Sequence, residues 1–144
     1  MNRTVADIIA KLDAFVASGN ECEDVDRLDA VVDGLRSMPG ARTALPALFD
    51  LLERHPQSDL GAPGPIVHEI EAIGGHVSEL LASIRRFPVD LTVWMVNRLL
   101  NSDLEPPIRE ELLDALRDVA TNKAVIEQVR ESARQFLEYQ GKSS

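Results

Sequence analysis

Residues 87–102 read Phe87-Pro88-Val89-Asp90-Leu91-Thr92-Val93-Trp94-Met95-Val96-Asn97-Arg98-Leu99-Leu100-Asn101-Ser102. Pro88 breaks the chain, and the residues after it make about three helical turns that are apolar on nearly every side. The single tryptophan, Trp94, sits in the middle, and Asn97, Arg98 and Asn101 are the polar exceptions. A helix that is apolar all round is buried on more than one face. In a chain of 144 residues it must lie between other helices. This stretch therefore predicts a stacked, all-α architecture rather than a catalytic cleft.

Working outward, the neighbouring segments also read as helices. Val5, Ile8, Ile9, Leu12 and Phe15 form a stripe at helical spacing, closed by Gly19. Val25, Leu28, Val32 and Leu35 predict a second helix ending at Pro39-Gly40. Leu45, Leu48, Phe49 and Leu52 predict a third, ending at His55 because the residue before a proline disfavours helix. Residues 57–64 make the longest break. Pro65 then opens a fourth helix, where its missing N–H costs nothing, and Gly74-Gly75 closes it. Val77, Leu80, Leu81, Ile84 and Phe87 predict a fifth, and residues 89–101 the sixth. Pro106-Pro107 start a seventh with Ile108, Leu112, Leu116 and Val119. Asn122 is expected to cap an eighth with Ile126, Val129, Ala133, Phe136 and Leu137. No stretch shows sustained strand alternation, and most loops are short, so neighbouring helices are expected to pack antiparallel.

A weak internal repeat supports stacking. Leu48 to Pro56 aligns with Leu80 to Pro88 and with Leu112 to Ala120, each at an offset of 32 residues. Apolar matches alone mean little between amphipathic helices, but the equal offset fits helix-pair repeats of the solenoid kind. The expectation is a single all-helical domain over residues 1–140, an irregular HEAT-like stack of about eight helices, with a frayed tail at 141–144.

The charge is uneven. Residues 1–79 carry 14 acids against 6 bases, and residues 80–144 carry 10 against 9. Nucleic acid is a poor direct ligand for such a surface, since phosphate contacts need a basic face. A basic protein partner is electrostatically favoured. Glu21, Glu23, Asp24, Asp26, Asp29 and Asp33 form the densest acidic run, opposed only by Arg27. Asp26, Asp29 and Asp33 share a helical face at steps of three and four. The run reads as a docking face for a basic partner, or more blandly as a solvated face. No run of 18 apolar residues marks a membrane span. The N-terminus lacks a signal peptide's apolar block, and the lone Cys22 forms no internal disulfide, so the expected location is the cytoplasm.

No motif supports catalysis. His68-Glu69-Ile70-Glu71 lacks the second histidine of the zincin helix. His68, Glu71 and His76 would converge on a metal only if the Gly74-Gly75 turn folded back, and zinc wants three or four converging ligands. Gly61 to Pro65 lacks the phosphate-loop pattern, and its prolines remove N–H donors. Acidic neighbours disfavour a reactive Cys22 thiolate. No cofactor site and no catalytic residue are expected. Trp94, Asn97, Arg98 and Asn101, together with Glu71, are read instead as a structural network that ties helix ends together.

Pro65 to Glu71, then Leu80-Leu81-Ala82-Ser83-Ile84, then Trp94 to Ser102, resemble a group of small, HEAT-like bacterial immunity proteins. These are encoded beside polymorphic toxins, including those of contact-dependent growth inhibition. The likeness covers about residues 45–137 and rests on short blocks rather than a catalytic signature. It implies a cytoplasmic protein, monomeric when free, that binds and neutralises one cognate toxin. Many such toxins act on nucleic acid and are basic. The alternative is a HEAT-like scaffold with a cellular protein partner. A third, weaker alternative is an enzyme using His68 and Glu71.

Overall fold

The computed structural model describes residues 3–56, 60–61 and 63–143, with side chains up to residue 141. Among the described residues there are eight α-helices, two 3-10 turns and no strand. The helices are α1 (Val5–Ala14), α2 (Glu21–Val32), α3 (Leu45–Arg54), α4 (Gly64–Ile73), α5 (Val77–Arg86), α6 (Asp90–Leu100), α7 (Pro106–Thr121) and α8 (Glu127–Ser143). The 3-10 turns are Leu35–Ser37 and Ala41–Ala44. The chain divides into two compact units, Met1–Glu79 and Leu80–Ser144.

In the first unit, α1 packs on α2, α3 on α4, α1 on α3 and α2 on α4. In the second, α7 packs on α8, α6 on α8 and α6 on α7. Contacts of α1 with α3, α2 with α4 and α6 with α8, each a helix and the next but one, are of the kind stacked helix pairs produce. The aligned blocks at 48–56, 80–88 and 112–120 begin in α3, α5 and α7.

Local chemistry explains the starts. The Thr4 hydroxyl accepts the Asp7 N–H at 3.1 Å while the Asp7 carboxylate accepts the Thr4 N–H at 2.9 Å, a reciprocal cap on α1. The Asn20 Oδ1 accepts the Glu23 N–H at 3.0 Å and opens α2. Prolines occupy the first turn of α3, α4 and α7.

The core follows the apolar stripes. Ile8, Leu12, Leu28, Leu45, Leu48, Phe49 and Ile70 are buried in the first unit, and Val93, Val96, Leu112, Leu116 and Ala133 in the second. In α6, Thr92, Val93, Met95, Val96 and Leu100 are buried, and Arg98 is the only exposed residue. The nearly all-apolar pattern of residues 89–100 thus corresponds to burial around most of the helix.

Several boundaries differ from expectation. The second helix ends at Val32, not at Pro39, because Gly34 takes a left-handed conformation at φ +79° and sends Leu35 into a separate 3-10 turn. Phe87 lies beyond the end of α5 and is exposed. Asn122 ends α7 instead of starting α8; its Oδ1 accepts the Ala124 N–H and holds a tight turn, so α8 begins at Glu127 and Ile126 is left exposed. Phe136 and Leu137 are half-buried, and Ile108 is exposed at the start of α7. Helix α8 runs through Gly141 to Ser143 where a frayed tail was expected; Ser144 lies outside the described residues. The break expected at 57–64 falls partly on residues outside the description.

Arginines from neighbouring elements finish the helix ends. The Arg54 guanidinium donates to the Leu12 carbonyl at 2.9 Å and the Phe15 carbonyl at 3.2 Å, so α3 holds the last turn of α1. Arg3 donates to the carbonyls of Ala30, Val31 and Asp33, the otherwise unpaired end of α2. Arg109 donates to the Leu100 carbonyl at 2.8 Å, at the end of α6. Each supplies a cation where the helix dipole is negative. Arg54→Ala is expected to lower unfolding free energy by about 2 kcal/mol, the worth of charge-assisted bonds. The exposed Arg85→Ala should change it by less than about 0.5 kcal/mol. Urea unfolding of the two variants checks the difference; equal effects would contradict the capping role.

Candidate functional site

The acidic run falls on α2 and its C-cap, on a helix whose other face is anchored. Leu28 and Val32 are buried, and burial of such a side chain contributes about 1.5–3 kcal/mol. Repulsion between like charges on one helix costs only a few tenths of a kcal/mol per pair. Packing therefore wins, and the helix holds its carboxylates in fixed positions. Glu21, Glu23, Asp26, Asp29 and Asp33 are exposed. Glu21 and Glu23 lie in the first turn, where the helix dipole favours them. Asp29 and Asp33 stand at the opposite end, where the dipole opposes them and Arg3 compensates.

Asp24 departs from the expected docking set. It is 2% exposed and faces inward. Its two oxygens accept the Ser18 N–H at 3.0 Å, Oδ1 also accepts the Ser18 hydroxyl at 2.8 Å, and Arg27 donates to Oδ1 at 3.1 Å. The Ser18 N–H is the main cause holding this carboxyl below the usual carboxylate range; burial opposes it, and the Ser18 hydroxyl, Gly19 N–H and Arg27 add to the lowering. Asp24 is thus the pin of the loop between α1 and α2, not part of a contact surface. A loop that must return tightly needs an acceptor for its N–H groups, and Asp24 sits one turn into α2 where it reaches them.

All five arginines of residues 1–79 are engaged. Arg3 and Arg54 cap helix ends, Arg27 donates to the Val16 carbonyl and lies 4.5 Å over the Phe15 ring, Arg36 binds Glu69 at 2.9 Å, and Arg42 donates to the Gly75 carbonyl at 3.0 Å. Three of the five, Arg36, Arg42 and Arg54, thus bind groups outside α2, while Arg3 and Arg27 lie on it.

The expected structural network is formed in part. Asn97 and Asn101 are joined by a residue the sequence reading missed, Gln140 of α8, which is 3% exposed. Its Nε2 donates to Asn97 Oδ1 at 2.8 Å and Asn101 Oδ1 at 2.9 Å, while its Oε1 accepts from Arg109 at 3.2 Å. At the other end of α6, Asp90 accepts from the Gln128 amide at 2.6 Å. Two polar ties thus set the register of α6 against α8. The i, i+4 spacing of Asn97 and Asn101 was the available signal; the third partner is 39 residues beyond Asn101 and had none. Trp94 is half-buried rather than core, and the exposed Arg98 guanidinium lies 5.4 Å over its ring. Glu71 is half-buried on α4, and its charge acts on His76.

His68 is exposed and His76 is buried. Among the described residues no group of three or more His, Cys, Asp or Glu side chains is arranged to hold a metal ion. A groove of about 380 Å³ on α7 and α8 is lined by Arg109, Leu113, Arg117, Leu137, Gln140 and Gly141. Arg109 is held as above, and Arg117 is bound by Glu110 and Asp114. Among the described residues no helix is long and apolar enough to cross a membrane.

The chain matches no protein-family model, no curated protein and no solved structure.

Two substitutions separate the roles. Asp24→Asn should lower the melting temperature at pH 7, whereas Asp26→Asn should leave it nearly unchanged; thermal unfolding decides. Because the folded-state pKa of Asp24 is lowered, its contribution is complete above the ordinary carboxylate value of 3.8 and is lost as pH falls through the lower folded value. The Asn variant should therefore lose its deficit in strong acid. Gln140→Leu strips both asparagines and Arg109 of a partner and should cost about 1–3 kcal/mol in urea unfolding.

Proposed function

We propose that this protein is an immunity protein that binds and neutralises a cognate bacterial toxin by stoichiometric association in the cytoplasm. The observation that carries the reading is the α2 face, on which Glu21, Glu23, Asp26, Asp29 and Asp33 are all exposed. A fixed field of one sign steers an oppositely charged partner and raises its association rate. A basic nuclease-type toxin has the matching charge. Tight coverage or misalignment of its active site then needs no chemistry from the inhibitor.

The stacked helix pairs also suit a scaffold for a cellular protein partner. Co-expression with the product of the adjacent toxin gene separates the two. The immunity reading expects protection of the cell and co-purification of the two proteins; neither protection nor binding would overturn it. Within that reading, changing Asp26, Asp29 and Asp33 together to lysine should slow association by about tenfold or more at low ionic strength, and much less at high salt. Stopped-flow association rates give the comparison. An unchanged rate at low salt would place the contact surface away from α2.

A further inference from the structure

The turn between α4 and α5 contains a buried histidine that the inhibitor reading does not use. His76 is 7% exposed, and among the described residues neither Nδ1 nor Nε2 has a hydrogen-bond partner. Burying unpaired polar nitrogens is costly, and burying a charge there is costlier still. The turn itself leaves little slack. Gly74 and Gly75 both have positive φ, 74° and 60°, a backbone region that other residues rarely adopt. The Arg42 guanidinium lies so close over Gly75 that a Cβ there would collide with it. Arg42 also donates to the Gly75 carbonyl at 3.0 Å and lies 3.9 Å from Glu79, whose Oε2 is buried without a partner.

We propose that His76 is an acid-sensitive latch: protonation of its imidazole opens the α4–α5 turn. The charged groups that act on it are Glu71 from α4, Glu79 from α5 and Arg42 from the 3-10 turn before α3. Burial is the main force pushing the imidazole below its ordinary 6.5, Arg42 pushes the same way, and the two carboxylates oppose without prevailing. At neutral pH the ring is uncharged and the turn is closed. A proton places an imidazolium beside the guanidinium that clamps Gly75, and the ring regains hydration only by leaving the interior. Since the folded-state pKa is lowered, the stability of the closed turn is complete above 6.5 and is lost as pH falls through the folded value. This latch stands independently of any toxin partner.

The Gly74 N–H, bonded to the Ile70 carbonyl at 3.0 Å, reports on the turn. Its hydrogen-exchange protection factor in the full chain should fall about tenfold between pH 7.5 and 5. That fall should lie between pH 6.5 and the lower pH at which the His76 ring titrates by NMR. His76→Phe and His76→Gln, which carry no titrating ring, should show a flat profile over the same range. If one variant does not fold, the other serves. Full retention of wild-type protection at pH 5, a fall lying outside the interval between 6.5 and the His76 titration, or the same loss in a variant would each overturn the latch.

Discussion

Arginine bound to the carbonyl end of a neighbouring helix is the interaction on which this structure depends. A helix leaves its last carbonyls without partners, and packing it into a layer removes the water that would otherwise satisfy them. Here the repair comes from outside the helix. Arg54 closes α1, Arg3 closes α2 and Arg109 closes α6, each across a gap of nine or more residues in the chain. The guanidinium suits this task because it is always charged and presents several donors in a planar fork. The same bond that satisfies the backbone also joins one helix to the next, so capping and packing are one act.

The acids of α2 face outward because Leu28 and Val32 hold the other side of that helix in the core. Asp24 makes the complementary point. It belongs to the same run in sequence, yet one inward turn converts it from a surface charge into the acceptor that shapes the preceding loop. Position on the helix, rather than residue type, separates the exposed carboxylates from the structural one.

The helical class and the core were legible because burial enforces a period. Leu45, Leu48, Phe49 and Leu52 repeat at helical spacing, and all four are buried. The stop at His55 and the turn at Gly74-Gly75 were legible because proline and glycine act through their own covalent geometry. The start of α8 was misread because Asn122 caps equally well in either direction, and only the turn closed by Ala124 selects one. Gln140 carries no signal in the sequence, although it is buried and joins α6, α7 and α8.

The sequence by itself determined the all-α class, most of the helix positions, the buried character of α6 and the acidic balance of the first half. These depend on local propensity, on hydrophobic period and on composition, all of which are written within a few consecutive turns. The tertiary structure alone decided that Asp24 turns inward, that Arg3 answers the end of α2, that Asn97 and Asn101 share Gln140, and that His76 is buried beside Arg42. Each of these joins residues separated by loops or whole helices, and such a pairing exists only once the helices have packed and excluded water from the groups that must then satisfy one another.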